Sequence, residues 1–235
     1  MRNTKAIVLS SGGVDSTTCV GLAVNRFGAE NVITISFKYG QKHSKELDCA
    51  EKVAQYYQVA HRVIDICSLN LFKGSSCSLL EGSANEIKHE SYEEQIKESD
   101  TGIVDSYVPF RNGLMLSMIA SIAMSMNPDD ITYIYLGAHA DDAAGNAYPD
   151  CSIAFSLAMS KAIYEGTDRH VVVCTPLIKM NKAEVVHTGL KIHVPYKLTW
   201  SCYEGGDKPC GKCGTCIDRA KAFALNGVED PALTQ

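Results

Sequence analysis

Leu9-Ser10-Ser11-Gly12-Gly13-Val14-Asp15-Ser16-Thr17-Thr18 decides the fold. Residues 5–9 read as a buried strand running into it. Val20, Ala23, Val24 and Phe27 recur at i, i+3, i+4 and i+7, the stripe of an amphipathic helix that Gly28 ends. The turn therefore sits at a helix N-terminus. Adjacent glycines let the backbone approach an anion, free N–H groups point outward, and the hydroxyls of Ser11, Ser16 and Thr17 add donors. Asp15 cannot bind phosphate directly; it either holds a magnesium ion that does or braces the loop by accepting N–H bonds. The spacing fits neither a Walker A loop nor a dinucleotide fingerprint. A plain serine–glycine turn is the alternative, and the flanking strand and helix favour the anion site.

Outward from this loop, residues 31–38 form a second expected strand, ending at Tyr39-Gly40-Gln41-Lys42-His43. A helix follows with Leu47, Ala50, Val53, Ala54 and Tyr57 inside and Lys45, Glu46, Glu51 and Lys52 outside; residues 61–66 make a third strand. Strands separated by such helices imply right-handed crossovers and a parallel sheet, with ligands at the strands' carboxyl ends. Residues 131–136 are a fourth strand delivering Gly137-Ala138-His139-Ala140-Asp141-Asp142 to the same cleft. Residues 171–174 are the last, which Pro176 bars from a central place. The expected class is α/β: a Rossmann-like parallel sheet with helices on both faces, over residues 1–195, and a C-terminal segment, 196–235.

Residues 68–106 show little periodicity beyond a short helix near Tyr92; a lid over the site and a solvated insertion are the two readings. The uncharged run 114–126 is expected to be a central helix buried all round, with Asn112 as its N-cap. Arg111 at its start suits a ligand phosphate or carboxylate, or an ordinary salt bridge. His139, Asp141, Asp142 and Tyr148 at a strand's end suit a polar small molecule, although the acids also suit turn capping or magnesium. Asp150 belongs with them or simply caps the helix after it. Asn181-Lys182-Ala183-Glu184 is close to a capping box, with Gly189 as the expected stop.

The chain has 235 residues, 46% apolar and 21% charged, with formal charge −5, so no global positive field favours a nucleic-acid backbone. The N-terminal apolar run is too short for a signal peptide or membrane span, and a cytoplasmic protein is expected. Of ten cysteines, six are scattered and four crowd together as Cys202, Cys210, Cys213 and Cys216, in a C-x7-C-x2-C-x2-C order. Four thiolates suit one closed, structural zinc per chain; a cubane iron–sulfur cluster is the competitor.

Ser-Gly-Gly-x-Asp-Ser resembles the pyrophosphate loop of the ATP pyrophosphatases, the adenine nucleotide alpha hydrolase-like fold. With it, Tyr-Gly-Gln-x-His at Tyr39 to His43, Val-Pro-x-Arg-Asn at Val108 to Asn112, Tyr-Pro-Asp-Cys at Tyr148 to Cys151 and the four cysteines occur in order. Together they resemble the 7-cyano-7-deazaguanine synthase family of queuosine biosynthesis, across nearly the whole chain. Phe110 stands where some members have glycine. The resemblance implies that 7-carboxy-7-deazaguanine, ammonia and ATP, with magnesium, become 7-cyano-7-deazaguanine through an adenylate and an amide. It implies ATP binding by Ser10, Ser11, Gly12, Gly13, Val14, Asp15, Ser16, Thr17 and Thr18. Arg111, Lys179 and Lys182 are the candidate cations for the leaving pyrophosphate, so Asp15, Ser16, Arg111 and Lys182 form the expected catalytic set. Arg111, Asn112, His139, Asp141, Asp142, Tyr148 and Asp150 are expected at the substrate, with Asp141 or Asp142 reading the base. A homodimer is the expected assembly. A tRNA-modifying relative and a non-catalytic nucleotide-binding regulator on the same fold are the alternatives.

Overall fold

Ala6 and Val8 point to one side of the first strand and Ile7 to the other, and all three are buried, so helices must cover both faces. The protein, seen in a computed structural model, is described over residues 3–233. In chain order it has β1 (Thr4–Leu9), α1 (Val14–Phe27), β2 (Val32–Lys38), α2 (Lys45–Tyr57), β3 (Ala60–Asp65), α3 (Tyr92–Glu98) and α4 (Arg111–Met126). Then come β4 (Ile131–Tyr135), α5 (Ala140–Ala143), α6 (Ile153–Gly166), β5 (Val171–Cys174), α7 (Lys182–Lys191) and α8 (Gly214–Leu225). The sheet is parallel with order β3-β2-β1-β4-β5. The order reverses between β1 and β4, which places a crevice at their carboxyl ends. Pro176 follows an edge strand, as its missing N–H requires.

One core lies between the sheet and α1, α2, α7 and α8, where Val8, Val20, Val53, Val185 and Phe223 meet. The other lies under α4 and α6, around Ile7, Ile35, Leu116, Ile119 and Ile134. Because Ala222 and Phe223 share the first core, the segment after residue 195 is packed into the sheet domain. Residues 234–235 of that expected unit lie outside the described residues. Among the described residues no helix is long and apolar enough to cross a membrane.

Four expectations change. The helix over 111–126 is not buried all round: Ser117, Ser121 and Ser125 form an exposed stripe, each hydroxyl donating to the carbonyl four residues back. An uncharged run hides such a stripe because serine satisfies itself on the helix. Asn112 is not the cap of that helix; Phe110 is, at φ 54 and ψ 24, a left-handed conformation that explains why glycine suits this position. Gly189 does not stop α7 but lies inside it, where a Cβ would stand 1.8 Å from the Tyr196 hydroxyl. Finally, Lys45 and Glu46 do not face outward. Lys45 lies 4.5 Å over the Trp200 ring, and Glu46 faces the crevice.

Candidate active site

A cavity of about 240 Å³ occupies the switch point between β1 and β4. Its floor is the 10–16 loop. Gly13 caps α1 with no side chain in the capping role, and the first intrahelical bond runs from Thr17 N–H to the Gly13 carbonyl. The N–H groups of Val14, Asp15 and Ser16, in the first turn, have no intrahelical partner and suit an anion. Ser16 Oγ accepts from Ser11 N–H at 3.2 Å, and Ser11 Oγ accepts from Gly13 N–H at 3.3 Å, so the hydroxyls shape the loop. Gly12, at φ +76, packs against α2, where a Cβ would meet the Glu46 carbonyl at 2.2 Å. The C-terminal segment closes over the same loop through Trp200 N–H to the Gly12 carbonyl, 2.9 Å.

On the β4 side four polar groups interlock. Lys182 Nζ donates to both oxygens of Asp15, at 2.7 and 2.6 Å, and lies 3.3 Å from His139 Nε2. His139 Nε2 is 3.2 Å from Asp142 Oδ1, while Asp142 Oδ2 accepts from His139 N–H. Burial works against the Asp15 carboxylate, but Lys182 and then His139 outweigh it and hold its pKa below the ordinary value. For Asp142 burial prevails and raises it. Asp141 Oδ2 accepts from Lys182 N–H at 2.7 Å and so sits at the start of α7.

On the β2 side Arg111 donates to Tyr39 Oη at 2.8 Å and lies 5.5 Å from the centre of that ring. Asp150, although before α6, accepts from Asn112 N–H at 2.9 Å and thus serves the N-terminus of α4. Ser152 caps α6 instead. Glu46 lines the cavity with neither a salt bridge nor a hydrogen bond on its carboxylate among the described residues; burial pushes its pKa up to about 7 against the pull of Arg111. The roof comes from 68–106, which contributes Leu79, Tyr92 and Ser106. There Tyr148 Oη meets Ser106 Oγ at 2.5 Å, and Tyr203 Oη lies 2.6 Å from Tyr92 Oη.

Of the residues singled out in the sequence, Ser10, Ser11, Gly13, Val14, Asp15, Ser16, Arg111, Asn112, His139, Asp141, Asp142, Tyr148 and Lys182 line this cavity. Gly12, Thr17, Thr18 and Asp150 stand behind the lining; Thr18 Oγ1 spends its bonds on the Val14 carbonyl and Tyr196 Oη. Lys179 is exposed and away from it. Sequence reasoning missed Glu46, Tyr92, Tyr203 and Asp218. Only Glu46 carried a signal, since it falls at i relative to Ala50 (i+4) and Val53 (i+7), on the buried stripe of its helix.

The sulfurs of Cys202, Cys210, Cys213 and Cys216 all lie within 4.8 Å of one another, with Cys210 Sγ and Cys216 Sγ 3.9 Å apart. A tetrahedron with metal–sulfur bonds of about 2.3 Å has edges of about 3.8 Å, so the four fit a single ion. A cubane, whose own sulfides separate the irons, needs its thiolates farther apart. Cys210 N–H donates to Cys202 Sγ, and Lys212 and Cys213 N–H groups donate to Cys210 Sγ. These donors favour thiolate charge.

A family model described as "Queuosine biosynthesis protein QueC" matches residues 5–227. The chain is 40% identical over 231 residues to the 7-cyano-7-deazaguanine synthase of Archaeoglobus fulgidus, covering 98% of this chain and 90% of that one. It is 39% identical over 234 residues to the protein of the same name from Oceanobacillus iheyensis, covering 98% of each. Two solved structures share the fold: NMN synthetase from Francisella tularensis (TM-score 0.50, 15% identity, 99% of this chain and 81% of that one) and the U34-tRNA thiolase NcsA from Methanococcus maripaludis (0.50, 16%, 95% and 66%). Matched by the family model over residues 5–227 and by relatives about 40% identical over nearly its whole length, the chain belongs to the 7-cyano-7-deazaguanine synthase family.

Proposed function

We propose that the protein converts 7-carboxy-7-deazaguanine, ammonia and ATP into 7-cyano-7-deazaguanine. The observation carrying this reading is the junction of an uncapped α1 N-terminus and Lys182 with an aromatic-walled slot at the switch point. A carboxylate is a poor electrophile. Its oxygen attacks the α-phosphorus of ATP, pyrophosphate leaves onto the 11–16 loop, and ammonia displaces AMP to give the amide. The amide oxygen attacks a second ATP in the same way, and loss of AMP with the nitrogen's protons leaves the nitrile. The protein supplies positioning and charge; no nucleophilic side chain is needed. Lys182 exchanges Asp15 for a phosphate oxygen, and Asp15 is then free to meet the magnesium that accompanies ATP. Burial raises the Cys151 thiol well above its ordinary range, which argues against its use as a nucleophile.

In this reading Cys202, Cys210, Cys213 and Cys216 hold one zinc, which supplies no chemistry to the reaction and fixes the tail, whose Trp200 and Tyr203 meet Gly12 and Tyr92. The ten cysteines are all unpaired, which supports a reducing, cytoplasmic setting. A homodimer is supported by Phe110, Ile153 and Leu157, which leave apolar surface exposed at neighbouring helix starts; light scattering tests it. The decisive assay for the reaction is mass spectrometry of the product from the carboxylated base, ATP and ammonium, with AMP counted alongside. A nitrile with two AMP per molecule is expected. Amide as the end product, or ATP cleavage with no base modified, refutes the proposal.

A further inference from the structure

The cavity divides chemically. Its β4 half holds charged groups that already satisfy one another, Asp15 with Lys182 and Asp142 with His139. Its β2 half is lined by Phe37, Tyr39, Leu79 and Met115, with one carboxylate among them. That carboxylate is Glu46. Arg111 beside it is already donating to Tyr39, and Asp150 behind it bonds the start of α4. Glu46 is half-buried, and an acid drawn into an apolar slot without protein donors is costly, so a cavity keeps one where a ligand brings the donors. The backbone here is also fixed: Gly12 abuts the Glu46 carbonyl so closely that no side chain fits between them, which ties this acid's position to the anion loop.

We infer that Glu46 reads the base, its two carboxylate oxygens accepting the ring N–H and the exocyclic amine of a 2-amino-4-oxo-pyrimidine edge while the ring lies in the apolar slot beside Tyr39. This rests on the proposed reaction and names the reader of its substrate. Two adjacent donors match two acceptor oxygens, and a carboxylate is the only side chain offering both without a competing donor. Asp141 is unsuited because its carboxylate holds the start of α7, and Asp142 because both of its oxygens serve His139.

The test uses the full chain and two ligands, 7-carboxy-7-deazaguanine and the same compound lacking the exocyclic amine, with affinities measured by calorimetry beside that for ATP. Wild-type protein should prefer the first by about a hundredfold, since a buried acceptor is otherwise left unpaired. Glu46→Gln should lower affinity for the first ligand by about a hundredfold and leave only a severalfold preference, with ATP affinity unchanged. Glu46→Asp, which keeps the charge, should retain part of the preference even if the glutamine variant folds poorly. An undiminished preference in Glu46→Gln, its loss in Asp142→Asn instead, or a matching fall in ATP affinity overturns the assignment. Wild-type protein that binds neither base overturns the proposed reaction as well; nitrile production with the preference intact in Glu46→Gln overturns this inference alone.

Discussion

Replacing Glu46 with glutamine should stabilise the ligand-free protein at neutral and alkaline pH while it damages base binding. The carboxyl goes from an ordinary value of 4.5 to about 7 on folding, with the attraction of Arg111 already included. That gap is worth about 3 kcal/mol, reduced to about 2 kcal/mol because the group keeps some solvent contact. A raised acid makes the native state bind the extra proton, so the cost is absent below 4.5, grows as pH rises between 4.5 and about 7, and is complete above that window. Glutamine has no such slope. Urea denaturation of both proteins at about pH 5 and about pH 8 therefore isolates Glu46, because Asp15, Asp142 and Asp150 are common to both. The variant should gain about 2 kcal/mol at the higher pH, a rise in Tm of about 4–8 °C, and under 1 kcal/mol at the lower. Parallel pH dependences, or a variant less stable at about pH 8, would refute the reasoning that this acid is held in the cavity at a cost in stability.

The remaining predictions concern the loop, the tail and the packing behind them. Ser16→Ala and Asp15→Asn should each lower the rate of adenylation by about a hundred- to a thousandfold with the fold intact, measured as pyrophosphate release; full activity below saturating ATP would displace the pyrophosphate from this loop. Purified protein should carry one zinc per chain by elemental analysis, Cys213→Ser should lose metal and solubility together, and a brown, iron-containing protein would overturn the zinc assignment. Gly189→Ala should destabilise by about 2–3 kcal/mol in urea, because its Cβ would meet Tyr196 Oη at 1.8 Å and dislodge the bond to Thr18; an unchanged midpoint would mean that Tyr196 moves freely.

What was legible in the chain was whatever is written within a few residues. The strand, glycines and helix around Ser11 to Thr17 announced a strand–turn–helix with an open helix start, the crossover lengths a parallel sheet, and the C-x7-C-x2-C-x2-C spacing four cysteines whose sulfurs converge closely enough to hold a metal. What was not legible is written between distant segments. Asp141 accepts from the start of a helix 41 residues on, and Asp150 from one 38 residues back, so reading each acid by its own neighbours misses these bonds. Tyr92, Tyr148 and Tyr203 converge from an irregular insertion, a turn and the cysteine tail, and no local pattern announces that meeting.

Glu46 is the instructive failure, because its position did carry the information and chemistry concealed it. On polarity it belongs outside with Lys45 and Glu51; on phase it belongs inside with Ala50 and Val53, and phase wins because the helix geometry leaves the side chain no other direction. Polarity and periodicity agree wherever a side chain serves only the fold. Where they conflict, the fold bears a cost that packing does not return, and the conflict marks a residue whose partner is not part of the chain. Phe110 breaks a different local rule, a bulky residue held at a left-handed turn directly before Arg111, and its ring lies outside the cavity lining. Glu46 stands on the β2 side of the cavity, which Arg111 also lines, and that position supports the proposal that the base is read there instead of at the acids of the β4 loop.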